Sequence, residues 1–431
     1  MKTKLLSILM VIALLGLAGC SIWIGVPGDH LPLGEIVRSE KQRVTSPDVA
    51  ETDLAELVAG NSAFAFDLYQ AIGEGDGNLF YSPYSISLAL AMTYAGARGE
   101  TEQQMADTLH HTLPQDQLHP AFNALDLALA SRGEGAEGQD GGGFRLNIVN
   151  SIWGQTGYSF LPAFLDTLAE NYGAGLRLLD FVKAPEESRG TINDWVSEET
   201  EGKIEDLLPP NSITPETVLV LTNAIYFNAA WSHPFDEELT HDGPFSLLDG
   251  GQVTVPMMEQ TEYFGYAEGE GYQAVELPYD GGELSMVILL PEDGRFEEFV
   301  RALDAQQVAS IAKDINPQGV HLTMPKFTYE SSFRLKKALA AIGMPAAFTA
   351  ADFSGMDGTR NLFIDDVFHK AFVSVDEAGT EAAAATAVVV ALTAAPSPPI
   401  EVTVDRPFVF VIRDIETGAL LFVGRVVNPS A

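Results

Sequence analysis

Asp376-Glu377-Ala378-Gly379-Thr380-Glu381-Ala382-Ala383-Ala384-Ala385-Thr386-Ala387-Val388-Val389-Val390-Ala391-Leu392-Thr393-Ala394-Ala395-Pro396-Ser397-Pro398-Pro399-Ile400 ends in 19 consecutive uncharged residues, in a chain where 19% of residues are charged. A membrane-spanning helix does not fit, because Pro396, Pro398 and Pro399 interrupt the run well short of the roughly 20 residues a span needs. The alanines favour a helix by propensity, but such a helix would have no polar face to meet water. Val388 to Val390 are β-branched, which suits a strand better than a linker. As a strand, Thr380, Ala382, Ala384, Thr386, Val388 and Val390 share one face, while Glu381, Ala383, Ala385, Ala387, Val389 and Ala391 share the other. Both faces are small or β-branched, and no proline occurs from Glu377 to Ala395, so every residue can donate to a ladder. Gly379 supplies a pivot just ahead. The stretch can therefore enter a sheet between two existing strands, yet its proline-rich end points to an exposed loop. Such a loop stores free energy.

Outward from this loop, the 431 residues are 46% hydrophobic, enough for a large core. A single cysteine excludes an intrachain disulfide framework and any cysteine-clustered metal site. With 60 acidic against 24 basic residues the net charge is −36, which repels phosphate backbones and argues against nucleic acid as a partner. Gly133-Glu134-Gly135-Ala136-Glu137-Gly138 copies a dinucleotide glycine pattern, but no apolar strand leads into it and its glutamates would repel a pyrophosphate. The chain has no Walker loop, no HExxH pair and no G-x-S-x-G elbow, and its eight histidines are scattered. Nothing recommends an enzyme, a metal centre or a cofactor.

At the other end, Lys2 and Lys4 precede an apolar run from Leu5 to Gly19 that closes Leu17-Ala18-Gly19-Cys20. Residues 1–19 read as a secretory signal, and the cleavage site resembles a bacterial lipobox with Cys20 as the lipidated residue. Residues 20–51, with scattered prolines and glycines, read as a flexible tether. The body, 52–431, shows helical spacing at Asp53–Ile72 and Ser85–Ala95, with Asn61 and Ser82 as N-cap candidates. Strand-like segments come later, at Thr217–Phe227, Gln273–Leu277, Leu284–Leu290, Gly319–Met324, Pro407–Ile412 and Ala419–Val427, interrupted by helical stretches at Phe296–Leu303 and Phe333–Ile342. Helices early and strands late predict an α+β body.

The residues from Asp376 to Thr386 resemble the hinge of the serpins. Asn78 to Ser87 is similar to the start of that family's helix B. Leu221-Thr222-Asn223-Ala224-Ile225-Tyr226-Phe227 with Trp231 and Pro234-Phe235 is similar to its central-sheet strand and breach. Phe368-His369-Lys370, Asp405-Arg406-Pro407-Phe408 and Phe422-Val423-Gly424-Arg425 also fall in the family's order.

The resemblance implies a large central sheet, two smaller sheets and an exposed reactive loop at about 377–400. It implies a suicide inhibitor of serine proteases, or of cysteine proteases, held as a covalent acyl complex while the loop inserts as a strand. Glu377, Gly379, Thr380, Glu381, Ala382, Ala383, Ala384 and Ala385 take the hinge role. Ser82, Ser85, Asn223 and His369 match the shutter, and Trp231 and Lys326 the breach, with Lys326 facing Glu377. Counting from the hinge puts the scissile bond between Thr393 and Ala394, within a window from Leu392 to Ala395. A small residue there suits an elastase-like or subtilisin-like target; use of Leu392 would suit a chymotrypsin-like one. No Lys or Arg occurs from Gly99 to Ser131, so no heparin-type cofactor is expected. The expected molecule is a monomer, anchored by lipid to the outer face of the cell membrane or envelope. The alternative is a non-inhibitory serpin acting as a surface binding lipoprotein.

Overall fold

A computed structural model describes residues 34–73, 77–133, 145–380 and 398–430. Seven strands form one sheet: β1 (Glu35–Val37), β2 (Arg145–Gln155), β3 (Leu176–Leu179), β4 (Leu219–Ala230), β5 (Phe327–Arg334), β6 (Ile364–Val375) and β7 (Gly379–Thr380), in the spatial order β1-β3-β2-β4-β7-β6-β5. All twelve residues of β4 are buried. That explains why its sequence does not alternate, with Thr222, Asn223 and Asn228 buried among apolar neighbours.

The second sheet has nine strands. The two smaller sheets expected from the resemblance are joined into one by a single long strand, Gln252–Gly269. It pairs with Asn316–Pro325 along one length and with Tyr272–Pro278 near its end. Pro256 and Gly265 break its alternation, which hid it from a periodicity reading.

Five helices frame the seven-stranded sheet and its approaches: α1 (Glu51–Ile72), α2 (Pro83–Tyr94), α3 (Gln115–Ala130), α4 (Pro162–Tyr172) and α5 (Pro185–Glu199). Every residue of α2 is buried, and the helix packs between β4 and the strand Leu420–Val426 of the second sheet. Its start is fixed as expected: Ser82 caps it, accepting from the Ser85 N–H at 3.1 Å, with Pro83 at the first helical position. Asn61 does not cap. It lies in mid-helix in α1, buried, where its Oδ1 accepts from Ser87 of α2 at 2.7 Å. Helix α5 lies on the outer face of the sheet, where Ile192, Trp195 and Val196 pack with Val220 and Ala224 of β4 and Phe368 of β6.

The expected tether needs correction over residues 34–50. Strand β1 pairs antiparallel with β3, and the residues after it are pinned to acidic helix faces. Ser39 Oγ donates to Asp166 at 2.6 Å, Lys41 pairs with Asp166 and Glu170, and Arg43 pairs with Asp126 at 2.6 Å and donates to Asn123. A three-residue strand and isolated ion pairs leave no periodic trace in a sequence. Cys20 and residues 1–33 lie outside the described residues.

Candidate functional site

The site is a seam. Strands β4 and β6 are parallel neighbours, paired from Leu219–Ile364 to Ile225–Ala371. Above that, the two-residue strand β7 lies between them and runs antiparallel to both. Gly379 sits opposite Ala230, and Thr380 opposite Ala229 on one side and Val375 on the other. Glu377, Ala378 and Thr380 are each at most 5% exposed, so the hinge starts its course inside the sheet. Gly379 is needed for a reason the sequence did not show. Its backbone is not left-handed; a Cβ there would lie 2.2 Å from the Ala229 carbonyl oxygen and 2.7 Å from the Ala230 Cα. Close approach, not torsional freedom, demands glycine.

At the expected breach, Trp231 is 2% exposed. Its backbone N–H donates to Ala378 O at 2.9 Å, and its indole Nε1 donates to Asp376 O at 3.0 Å. Asp376 Oδ1 accepts from the N–H groups of Ala378 and Gly379, closing a turn into β7. Burial raises the Asp376 pKa, and those two N–H bonds offset part of the rise. Lys326 Nζ donates to Glu377 Oε2 at 2.6 Å, and Thr240 Oγ1 donates to Oε1 at 2.6 Å. Burial works to raise the Glu377 pKa, but the bonds from Lys326 and Thr240 outweigh it, and the carboxyl is held below its usual range. The carboxylate side chain is only 6% exposed against 37% for Lys326. This is a half-buried pair, worth more than an exposed one.

The four residues expected as a shutter meet lower on the same seam. His369 on β6 stands directly opposite Asn223 on β4. Ser82 N–H donates to His369 Nε2 at 3.2 Å, so that nitrogen is the acceptor and Nδ1 carries the proton towards Asn223 Oδ1. Asn223 Nδ2 in turn donates to Ser85 Oγ and to Asn150 Oδ1, while Asn150 Nδ2 donates to Ser85 O at 3.2 Å. All four expected residues are brought together. Asn150 on β2 is a fifth, missed because nothing in sequence tells a seam-facing asparagine from an ordinary strand one. The bond between His369 and Asn223 crosses the seam and must break if a strand enters.

Burial holds the His369 imidazole down at about 3 against an ordinary 6.5, with the Asn223 contact working the other way. Two more histidines are buried in an aromatic cluster with Tyr94, Phe122 and Tyr172. Burial, then neighbouring His119 and His110, put His111 at about 3; burial, then Arg98, puts His119 at about 4. The unfolded chain binds protons below about 6.5 that the folded state does not. Stability is therefore complete above that pH and drains as pH falls toward 3–4, by about 1.4 kcal/mol per pH unit per histidine. Thermal unfolding followed between pH 7 and 5 should show this loss. His111→Phe, which keeps the ring contacts, should remove one histidine's share of the slope; a midpoint flat with pH would contradict the assignment.

Glu381, Ala382, Ala383, Ala384, Ala385, Leu392, Thr393, Ala394 and Ala395 lie outside the described residues. Among the described residues no cluster of three or more metal-ligating side chains occurs, and no helix is long and apolar enough to cross a membrane.

The model of the serpin (serine protease inhibitor) family matches residues 59–429. An uncharacterized serpin-like protein of Thermococcus kodakarensis is 42% identical over 375 residues, 86% of this chain and 86% of its own length. The leukocyte elastase inhibitor of Homo sapiens is 39% identical over 389 residues, 87% of this chain and all of its own. Among solved structures, that of the thermophilic serpin tengpin in the native state superposes with a TM-score of 0.80 at 29% identity, covering 91% of this chain and all of that one.

Proposed function

The chain belongs to the serpin family of serine protease inhibitors, and from that premise we propose that it is a single-use trap that inserts its reactive loop between β4 and β6. The target serine attacks the carbonyl of Thr393. The Thr393–Ala394 amide breaks, Ala394 leaves as a free amine, and an ester joins the protease to the loop. The loop then continues the ladder that β7 begins. In the register of Gly379–Ala230 and Thr380–Ala229, each further residue steps one place down β4, and Val390 comes opposite Leu219. Side chains that share the face of Thr380 are Ala382, Ala384, Thr386, Val388 and Val390. None is charged, so nothing on that face opposes burial.

The observation that carries this reading is the seated rung β7, antiparallel between two strands that are otherwise parallel to each other. Parallel pairing is slightly the weaker arrangement per residue, and an antiparallel guest would replace it with two antiparallel ladders. A small residue at Thr393 favours an elastase-like or subtilisin-like target. The lipobox at Cys20 supports attachment to the outer face of the membrane, where such a trap would guard the cell envelope. Incubation with elastase, subtilisin and chymotrypsin should give an adduct that survives boiling in detergent with at least one of the first two, and mass analysis of the released peptide should begin it at Ala394. Clean cleavage with undiminished protease activity would overturn the inhibitory reading and leave a binding protein.

A further inference from the structure

The family match assigns nothing to the turn that joins the strands Tyr272–Pro278 and Leu284–Pro291, yet this turn reaches the hinge. Tyr279 is fully buried, and its phenol is bonded to the hydroxyl of Thr380 at 2.8 Å. Thr380 is itself 1% exposed, so water does not replace that partner. The tyrosine ring is held on two sides. It stacks on Trp231, with centroids 4.7 Å apart and planes at 11°, and meets Phe227 edge-on at 5.1 Å. Its backbone is tied to the end of β4 as well. Ser232 N–H donates to Pro278 O, Asp280 N–H donates to Ala230 O, and Trp231 and Tyr279 form an isolated antiparallel bridge. Burial raises the phenol well above its usual pKa, keeping it protonated.

We infer that Tyr279 is a positioning residue for the hinge: it moors Thr380 to the β4 side of the seam, so that the first rung of the inserting strand is in place before any protease arrives. The inference deepens the proposed trap and rests on it only for its consequence in inhibition. The asymmetry of the rung points the same way. It pairs with two residues of β4, Ala229 and Ala230, but with one of β6, Val375. The end of β6 holds the rung through the turn in which Asp376 N–H donates to Gly379 O at 3.0 Å, and Tyr279 with β4 holds its other side. An insertion that begins with its first rung already seated has a head start over hydrolysis of the acyl bond.

Removing one partner of a buried pair strands the other, whereas removing both with apolar groups of similar shape costs little. Tyr279→Phe leaves the Thr380 hydroxyl without a partner; Tyr279→Phe with Thr380→Val removes both. Amide hydrogen exchange at Gly379, Thr380 and Ala229, measured on the intact chain without protease, should speed up roughly tenfold in Tyr279→Phe and return toward the native rate in the double variant. The number of inhibitor molecules consumed per protease trapped should rise several-fold in the single variant and fall back in the double. Unchanged exchange in Tyr279→Phe, or a double variant as loose as the single, overturns the mooring. Altered exchange with an unchanged stoichiometry overturns its role in trapping. If the native chain traps no protease at all, the proposed function fails, and the exchange rates still decide whether Tyr279 holds the hinge.

Discussion

Thr380→Arg should abolish the covalent trap and turn the molecule into an ordinary substrate. The residue is 1% exposed and its hydroxyl already meets a fully buried tyrosine. A guanidinium placed there would be desolvated, while the nearby Asp376 and Glu377 carboxylates are already engaged by other donors. A penalty of about 4 kcal/mol would slow insertion roughly a thousandfold, enough for hydrolysis of the acyl bond to win. The expected result on a denaturing gel is loss of the adduct band with continued accumulation of cleaved inhibitor, and full protease activity at the end of the reaction. Undiminished adduct from this variant would mean that Thr380 does not lead the insertion.

Cutting the loop of the native protein with a protease that it does not trap should raise its thermal midpoint. Continuing the ladder from Thr380 toward Val390 would form about a dozen backbone hydrogen bonds at ~0.5–1.5 kcal/mol net, on the order of 10 kcal/mol before side-chain packing. The entropy of unfolding is about 2 cal/mol/K per residue, or roughly 0.8 kcal/mol/K for a body of this size. The midpoint should therefore climb by at least about 10 °C. Calorimetry before and after nicking would read it directly. Equal midpoints would mean that no free energy is held back in the uncut chain, and the trapping mechanism would lose its source of work.

The residues expected as hinge, shutter and breach are legible because they use residue types that stand out against their surroundings. Four alanines after Gly379-Thr380-Glu381 have no other use in an acidic chain, and Ser82 before Pro83 is a local cap that needs no distant partner. What stays hidden in the sequence depends on distance. Asn150 is one polar residue in a strand, and only the fold sets it against Asn223. Tyr279 opens a turn, and nothing local says that its ring reaches a threonine a hundred residues on. Asn61 resembles a cap because asparagines often are; a hydrogen bond from Ser87, on another helix, holds it inside α1 instead. Even Gly379 stands out in the sequence for a property it does not use. Its role is to let two backbones touch.

The margins of the seven-stranded sheet have a bearing on how this protein meets copies of itself. On one side β1, three residues long, closes off β3 and is too short to template another chain. On the other side β5 alternates buried residues with exposed Thr328, Glu330, Ser332 and Arg334, and its two charges discourage lateral docking. Neither border of this sheet suits a foreign strand, so a further strand would join it at the interior seam between β4 and β6. A visiting chain would find Gly379 and Thr380 already occupying the upper end of that seam, so the molecule's own segment is its first competitor.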